Sequence, residues 1–234
     1  SIKSLSDGSM PTTDVEKEVE IIEIPNIKYL EKDLHPVLAY YGFHFMRIYL
    51  KTIHHNKSEK KQYGEWVHPD MVGCYYPFND WKPELVEFSS VVGDFPIKLY
   101  SFEIKRELNF SNLREAFFQS VSNSSWANEG YLVAADVSSD DDFLIELRRL
   151  SVSFGIGIIK LNLEDPNSST IIYPARPKSN LDWETINKLA EMNSDIKDLL
   201  VGIKNDIMIK RVVKDNYDKI VELTELINQF KSFS

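Results

Sequence analysis

The run Leu99-Tyr100-Ser101-Phe102-Glu103-Ile104-Lys105-Arg106 constrains this chain more than any other segment. It alternates with period two, as a half-buried strand does, and side chains two apart on a strand share a face. Tyr100, Phe102 and Ile104 therefore fall on one face, while Glu103 and Lys105 stand side by side on the other. Upstream, Val67-His68-Pro69-Asp70 sets a second acid, Asp70, beside another strand-like run. Downstream the period changes, with Ser111 expected to cap a helix through Leu113, Phe117 and Val121. A strand that gives way to a helix is one unit of a strand–helix alternation.

Further elements fit that alternation. An apolar stripe on Tyr29, Leu30, Leu34, Val37, Leu38 and Tyr41 predicts a helix starting near Asn26, with Pro36 free to break or restart it. Phe45 to His54 and Glu65 to Tyr76 read as two strands of a hairpin, joined by a basic turn over residues 55–64. Pro77 to Pro96 reads as a long connection. After it, strands at Gly130–Val137, Gly155–Leu161 and Thr170–Ala175 alternate with helices, including one capped by Asp141 or Asp142. That alternation predicts a mixed or partly parallel sheet with helices on both faces. Two helices are expected at the C-terminus, over Asp182–Leu200 and Asn205–Phe230.

The resulting division is a linker over residues 1–24, expected to be disordered, an α/β domain over 25–180 and a helical extension over 181–234. The chain does not begin with Met, and a further domain is expected to precede the linker. A chain of 234 residues with 43% hydrophobic and 27% charged residues has the composition of an ordinary globular protein. The apolar stretch Pro36–Met46 is too short to span a bilayer, so no membrane partner is expected. The N-terminus lacks the pattern of a secretory signal. A single cysteine, Cys74, precludes an internal disulfide, and the expected location is the cytoplasm. The net charge of −9 opposes the basic footprint usual in nucleic-acid-binding domains.

An Asp, then a strand ending in Glu-x-Lys, then a helix resembles the PD-(D/E)xK nuclease pattern. The resemblance runs from about Glu31 to Leu161, with Asp70, Glu103 and Lys105 at the motif positions. More narrowly, His-Pro-Asp, Tyr-Ser-Phe-Glu-Ile-Lys, Gln-Ser-Val-Ser-Asn-Ser-Ser-Trp-Ala-Asn-Glu-Gly and Phe-Gly-Ile-Gly-Ile-Ile-Lys-Leu-Asn resemble bacterial restriction-endonuclease-like domains that follow a winged-helix HARE-HTH domain. The resemblance implies a restriction-endonuclease-like mixed sheet flanked by helices. It also implies a metal-dependent endonuclease acting on DNA, with restriction or defence as the expected setting. Mg²⁺ would be held by Asp70, Glu103 and the Ile104 carbonyl, with Mn²⁺ able to substitute. Lys105 would orient or deprotonate the attacking water, or balance charge in the transition state. Glu31 and Gln119 match supporting positions, although the Tyr of a Gln-x-x-x-Tyr variant is missing after Gln119. The upstream domain, absent from this chain, would be the DNA-binding winged helix, and a homodimer would place two sites on two strands.

Other readings stand beside this one. Taken alone, Glu-x-Lys describes a salt-bridged pair on an exposed strand face. A non-catalytic nucleic-acid- or protein-interaction module that keeps the nuclease fold is the alternative function, and RNA shares the same metal chemistry. Arg47, Lys57, Lys60 and Lys61 form one basic region that could steer phosphate, or an ordinary solvated turn. His54, His55 and His68 cluster if the hairpin pairs them, but no Cys pair or His-x-x-x-His spacing points to zinc. Ser122–Trp126 lacks a Gly-x-Ser-x-Gly elbow, and Gly155-x-Gly157 lacks the third glycine of a dinucleotide fingerprint.

Overall fold

The structure is a computed structural model that describes residues 29–57, 68–93 and 96–231. In chain order the helices are α1 (His35–Tyr41), α2 (Pro83–Val91), α3 (Leu113–Ser124), α4 (Asp141–Phe154), α5 (Trp183–Met192), α6 (Ser194–Ile209) and α7 (Leu223–Lys231). The strands are β1 (Ile48–Thr52), β2 (Met71–Tyr75), β3 (Lys98–Leu108), β4 (Glu129–Val137), β5 (Gly157–Lys160) and β6 (Thr170–Tyr173). They form one six-stranded mixed sheet in sequential order. β1, β2 and β3 pair antiparallel, β3, β4 and β5 parallel, and β6 antiparallel to β5.

The alternation in β3 sorts its side chains as the sequence requires. Tyr100, Phe102 and Ile104 join a core with Val37 and Leu38 of α1 and Leu226 and Phe230 of α7. The opposite face is covered in two parts. Leu132, Ala134 and Ile158 pack against α3 and α4 through Phe117, Phe143 and Leu147. Val72, Cys74 and Leu99 pack against α5 and α6 through Ile186, Leu189, Ile196 and Leu199. The sheet thus carries helices on both faces, and Glu103 and Lys105 lie on the α3 side. Among the described residues, no helix is long and apolar enough to cross a membrane.

Several boundaries differ from those read in the sequence. The segment Gly42–Met46 continues α1 as a π-type turn, so the strand expected from Phe45 begins only at Ile48. Arg47 adopts the left-handed conformation, φ 59°, that ends the helical path and redirects the chain. The Pro77–Pro96 connection contains α2, which starts at Pro83 because a proline suits the first helical turn. Asn112 rather than Ser111 precedes α3, and the cap of α4 is Asp140, whose carboxylate accepts from the Phe143 N–H. Toward the C-terminus the described residues form three α-helices, not two. Asn193 breaks the first by taking an extended conformation and capping α6, which then runs unbroken through the expected gap near residue 200. The linker reading for residues 1–24, the helix start near Asn26 and most of the 55–64 turn lie outside the described residues.

The parallel core is packed closely at Gly157. A Cβ there would lie 2.3 Å from Tyr131 Cε1 and 2.7 Å from the Ala175 backbone nitrogen. Gly157→Ala must therefore move backbone as well as an aromatic ring. Its expected cost is about 1–3 kcal/mol, to be read as a lowered midpoint in urea denaturation.

Candidate active site

β3 outruns its neighbour. β2 pairs with it only as far as Met71 opposite Phe102, whereas β4 accompanies it to Leu108. Beyond Phe102, no strand among the described residues pairs with the β2-side edge of β3, and its backbone groups need other partners. Asp70 supplies one. Its backbone N–H donates to the Phe102 carbonyl at 3.1 Å, and its Oδ2 accepts from the Ile104 N–H at 2.7 Å. An extended residue points its N–H and C=O to the same edge, so the Ile104 carbonyl also faces the ground that β2 does not reach. Glu31, just before α1, stands next along this edge, where its carboxylate feels the Arg106 backbone N–H.

Glu103 is 1% exposed. Its Oε1 accepts from Lys105 Nζ at 2.9 Å and its Oε2 from Asn123 Nδ2 at 3.0 Å. Asn123 is set on α3 by its own carbonyl, which accepts from Ser101 Oγ and Trp126 Nε1. A carboxylate only accepts, which fixes the amide orientation and leaves Asn123 Oδ1 buried with no partner among the described residues.

The electrostatics follow from this packing. Burial, and then the negative charge of Asp70, push the Glu103 carboxyl up to about 7, against the pull of Lys105. Burial would also raise Asp70, but hydrogen bonds from His55 and the Ile104 N–H, with the charge of Lys105, hold it below its ordinary value. Burial disfavours the Lys105 ammonium, yet Glu103, Glu31 and Asp70 outweigh it and raise its pKa. For Glu31, lost hydration dominates and raises the carboxyl. Two acids that oppose each other's ionisation beside one ammonium have an excess of negative charge to share.

His55 completes the cluster. Its Nε2 lies 3.1 Å from Asp70 Oδ1, and its ring lies 4.4 Å from that of His68. The Asp70 hydrogen bond raises the His55 pKa, while burial lowers that of His68. His54 turns away to the buried Asp195 at the start of α6. Asp195 Oδ2 accepts from the His54 N–H at 3.0 Å and contacts His54 Nδ1 at 2.8 Å, and its Oδ1 accepts from Lys57 Nζ at 2.6 Å. The carboxyl of Asp195 is held down to about 2, because these partners together outweigh its burial. A scan of protein-family models, a search of curated proteins and a search of solved structures found no match to this chain.

The fold thus gathers Asp70, Glu103, Lys105 and Ile104 at one strand end, with Glu31 beside them. It does not gather the other candidates. The side chain of Gln119, half-buried one turn before Asn123, makes no hydrogen bond among the described residues, and Asn123 reaches Glu103 instead. Arg47 lies at the opposite end of β1, paired with Asp80 at 2.5 Å. Lys57 is engaged by Asp195, while Lys60 and Lys61 lie outside the described residues. His55 and Asn123 were not singled out from the sequence as site residues. The Asn-x-x-Trp spacing of Asn123 on a helix facing Glu103 could have flagged it, whereas nothing local marks His55 apart from His54.

Among the described residues, no group of three or more His, Cys, Asp and Glu side chains converges to hold a metal. Two carboxylates and one backbone carbonyl suit Mg²⁺, which takes one or two carboxylates and keeps much of its water. The raised Glu103 carboxyl gives a direct test of the uncompensated charge. Folded Glu103 binds its proton more tightly than an unfolded glutamate, so its contribution to stability is present at low pH and is lost as pH rises from about 4.5 to about 7. Relative to Glu103→Gln, metal-free wild type should lose on the order of 1–3 kcal/mol across that window. Denaturant melts at pH 4.5 and 7.5 in EDTA would measure the difference.

Proposed function

We propose that this chain is a PD-(D/E)xK-type nuclease domain that hydrolyses phosphodiester bonds in DNA with a divalent cation. The observation that carries the reading is the Asp70 Oδ2 to Ile104 N–H hydrogen bond of 2.7 Å. It draws an acid from before β2 onto the residue between Glu103 and Lys105, so that three groups separate in sequence share one strand end.

Asp70, Glu103 and the Ile104 carbonyl would hold the cation. Mg²⁺ there would lower the pKa of a water and relieve the charge of the scissile phosphate. Lys105, kept protonated by its acidic neighbours, places an ammonium beside the phosphate and stabilises charge as it develops. That favours charge balance over a base role for this lysine. Asn123 holds Glu103 by one oxygen and leaves lone pairs on both oxygens for further ligands. His55 fixes the rotation of Asp70 through Oδ1, opposite to the Ile104 N–H on Oδ2.

The net charge of −9 supports a second reading, an interaction module that retains the fold without hydrolysis. The two part in a cleavage assay on supercoiled and single-stranded DNA with Mn²⁺. Wild type should cut, and Lys105→Ala and Asp70→Asn should each lose at least about 100-fold in rate while circular dichroism stays unchanged. Full activity in Lys105→Ala would overturn the assignment. Mn²⁺ calorimetry is expected to show binding to wild type that disappears in Asp70→Ala; binding indifferent to Asp70 would favour the interaction module.

A further inference from the structure

His55 belongs to two places at once. Its Nε2 meets Asp70, and the residue also lines a neighbouring cavity of about 640 Å³. That volume falls within the range of roughly 300–1,000 Å³ typical of small-molecule sites. Pro36, Ile53 and Val221 give the cavity apolar walls, and Lys32 and Lys219 bring two exposed ammonium groups to its lining. Among the described residues its one carboxylate, Asp218, is already engaged, since Oδ2 accepts from the Thr52 N–H at 3.0 Å and the Thr52 hydroxyl at 2.6 Å. Apolar walls with cations beside them suit a flat ring attached to a phosphate.

The same hydrogen bonds set the proton on His35, which also lines the cavity. The Thr52 hydroxyl donates its hydrogen to Asp218 Oδ2. The 3.0 Å contact between His35 Nδ1 and Thr52 Oγ1 must then run from Nδ1–H to the oxygen. Burial lowers the His35 pKa, so the ring is neutral near pH 7 and Nε2 is a bare acceptor. Among the described residues, that nitrogen has no hydrogen-bond partner. A bare acceptor on a residue that lines such a cavity is complementary to an amino group.

Deepening the nuclease reading above, we propose that this cavity takes up one nucleobase of the bound strand, and that His35 Nε2 accepts from the base's exocyclic amine. Adenine and cytosine carry that amine and thymine does not. A base that enters has left any duplex stack, so the strand concerned is single-stranded or locally unpaired.

The test uses the full chain in EDTA and titrates dAMP, dCMP, dTMP and base-free deoxyribose 5-phosphate by calorimetry or ligand-observed NMR. dAMP and dCMP should bind about three- to tenfold more tightly than dTMP, the value of one hydrogen bond, and deoxyribose phosphate most weakly. Lys32→Glu and Lys219→Glu should weaken all four alike. His35→Phe should abolish the preference. Thr52→Val, which frees the His35 tautomer, should shrink it and serves if His35→Phe does not fold. Equal binding of dTMP and dAMP, binding no better than deoxyribose phosphate, or a preference that survives His35→Phe would each overturn the proposal. The titration contains no metal, so its outcome is separate from that of the cleavage assay. DNA cleavage without base preference would remove the cavity's role and leave the nuclease reading. Base preference without cleavage would do the reverse.

Discussion

The late start of β2 is the constraint from which the candidate site is built. A strand that begins only at Met71, while its antiparallel partner continues to Leu108, leaves backbone donors and acceptors on that partner in need of others. Asp70 answers with both its backbone and its side chain. An acid is thereby fixed in register with β3, at a point where a carbonyl is also left facing outward. Had β2 begun two residues earlier, Ile104 would be paired within the sheet and no site would exist there.

Into this gap the fold places more acid than base. Glu103 is enclosed by the sheet and α3, and it is satisfied by one cation and one neutral amide. Asp70 is satisfied by a histidine and a backbone N–H. The charges settle unevenly, with Asp70 ionising readily and Glu103 only near neutrality. Two acids thus differ in their ionisation, and the lysine beside Glu103 is kept charged by its acidic neighbours. Structural ion pairs on a sheet rarely need so much burial, because exposed pairs contribute little and buried ones are costly to desolvate.

Much of this was legible in the sequence because β3 obeys a strict two-residue period. That pattern alone assigned Tyr100, Phe102 and Ile104 to the core and Glu103 with Lys105 to the other face. The parallel strands after it announced themselves by apolar runs between helical stretches. What could not be read was anything that depends on distant contacts. α2 was hidden in the Pro77–Pro96 segment, which reads as a connection although Pro83 opens a helix there. Asn193 ends α5 through its own extended backbone, not through a proline or glycine that would have marked it. Arg47 and Lys57 looked like neighbours on one basic hairpin, but the length of β1 separates Arg47 from the site, and Asp195, over a hundred residues onward, captures Lys57. His55 and His54 are chemically identical in sequence, and only the three-dimensional course of the chain sends one to Asp70 and the other to Asp195.

The two aspartates that brace this corner come from late in the chain. Asp195 spans 141 residues to hold His54, and Asp218 spans 166 to hold Thr52. Between them lies the buried group in which Asp206 accepts from the hydroxyls of Tyr76 and Tyr217, tying α6 to the end of β2. Contacts of such sequence separation are the costliest to close and form only once most of the chain is in place. The corner that carries His55 is thus closed by contacts between residues far apart in the sequence. A nascent chain that has made β1 to β4 holds Asp70, Glu103 and Lys105 but not the braces that set them, so full assembly of the corner is tied to completion of the fold.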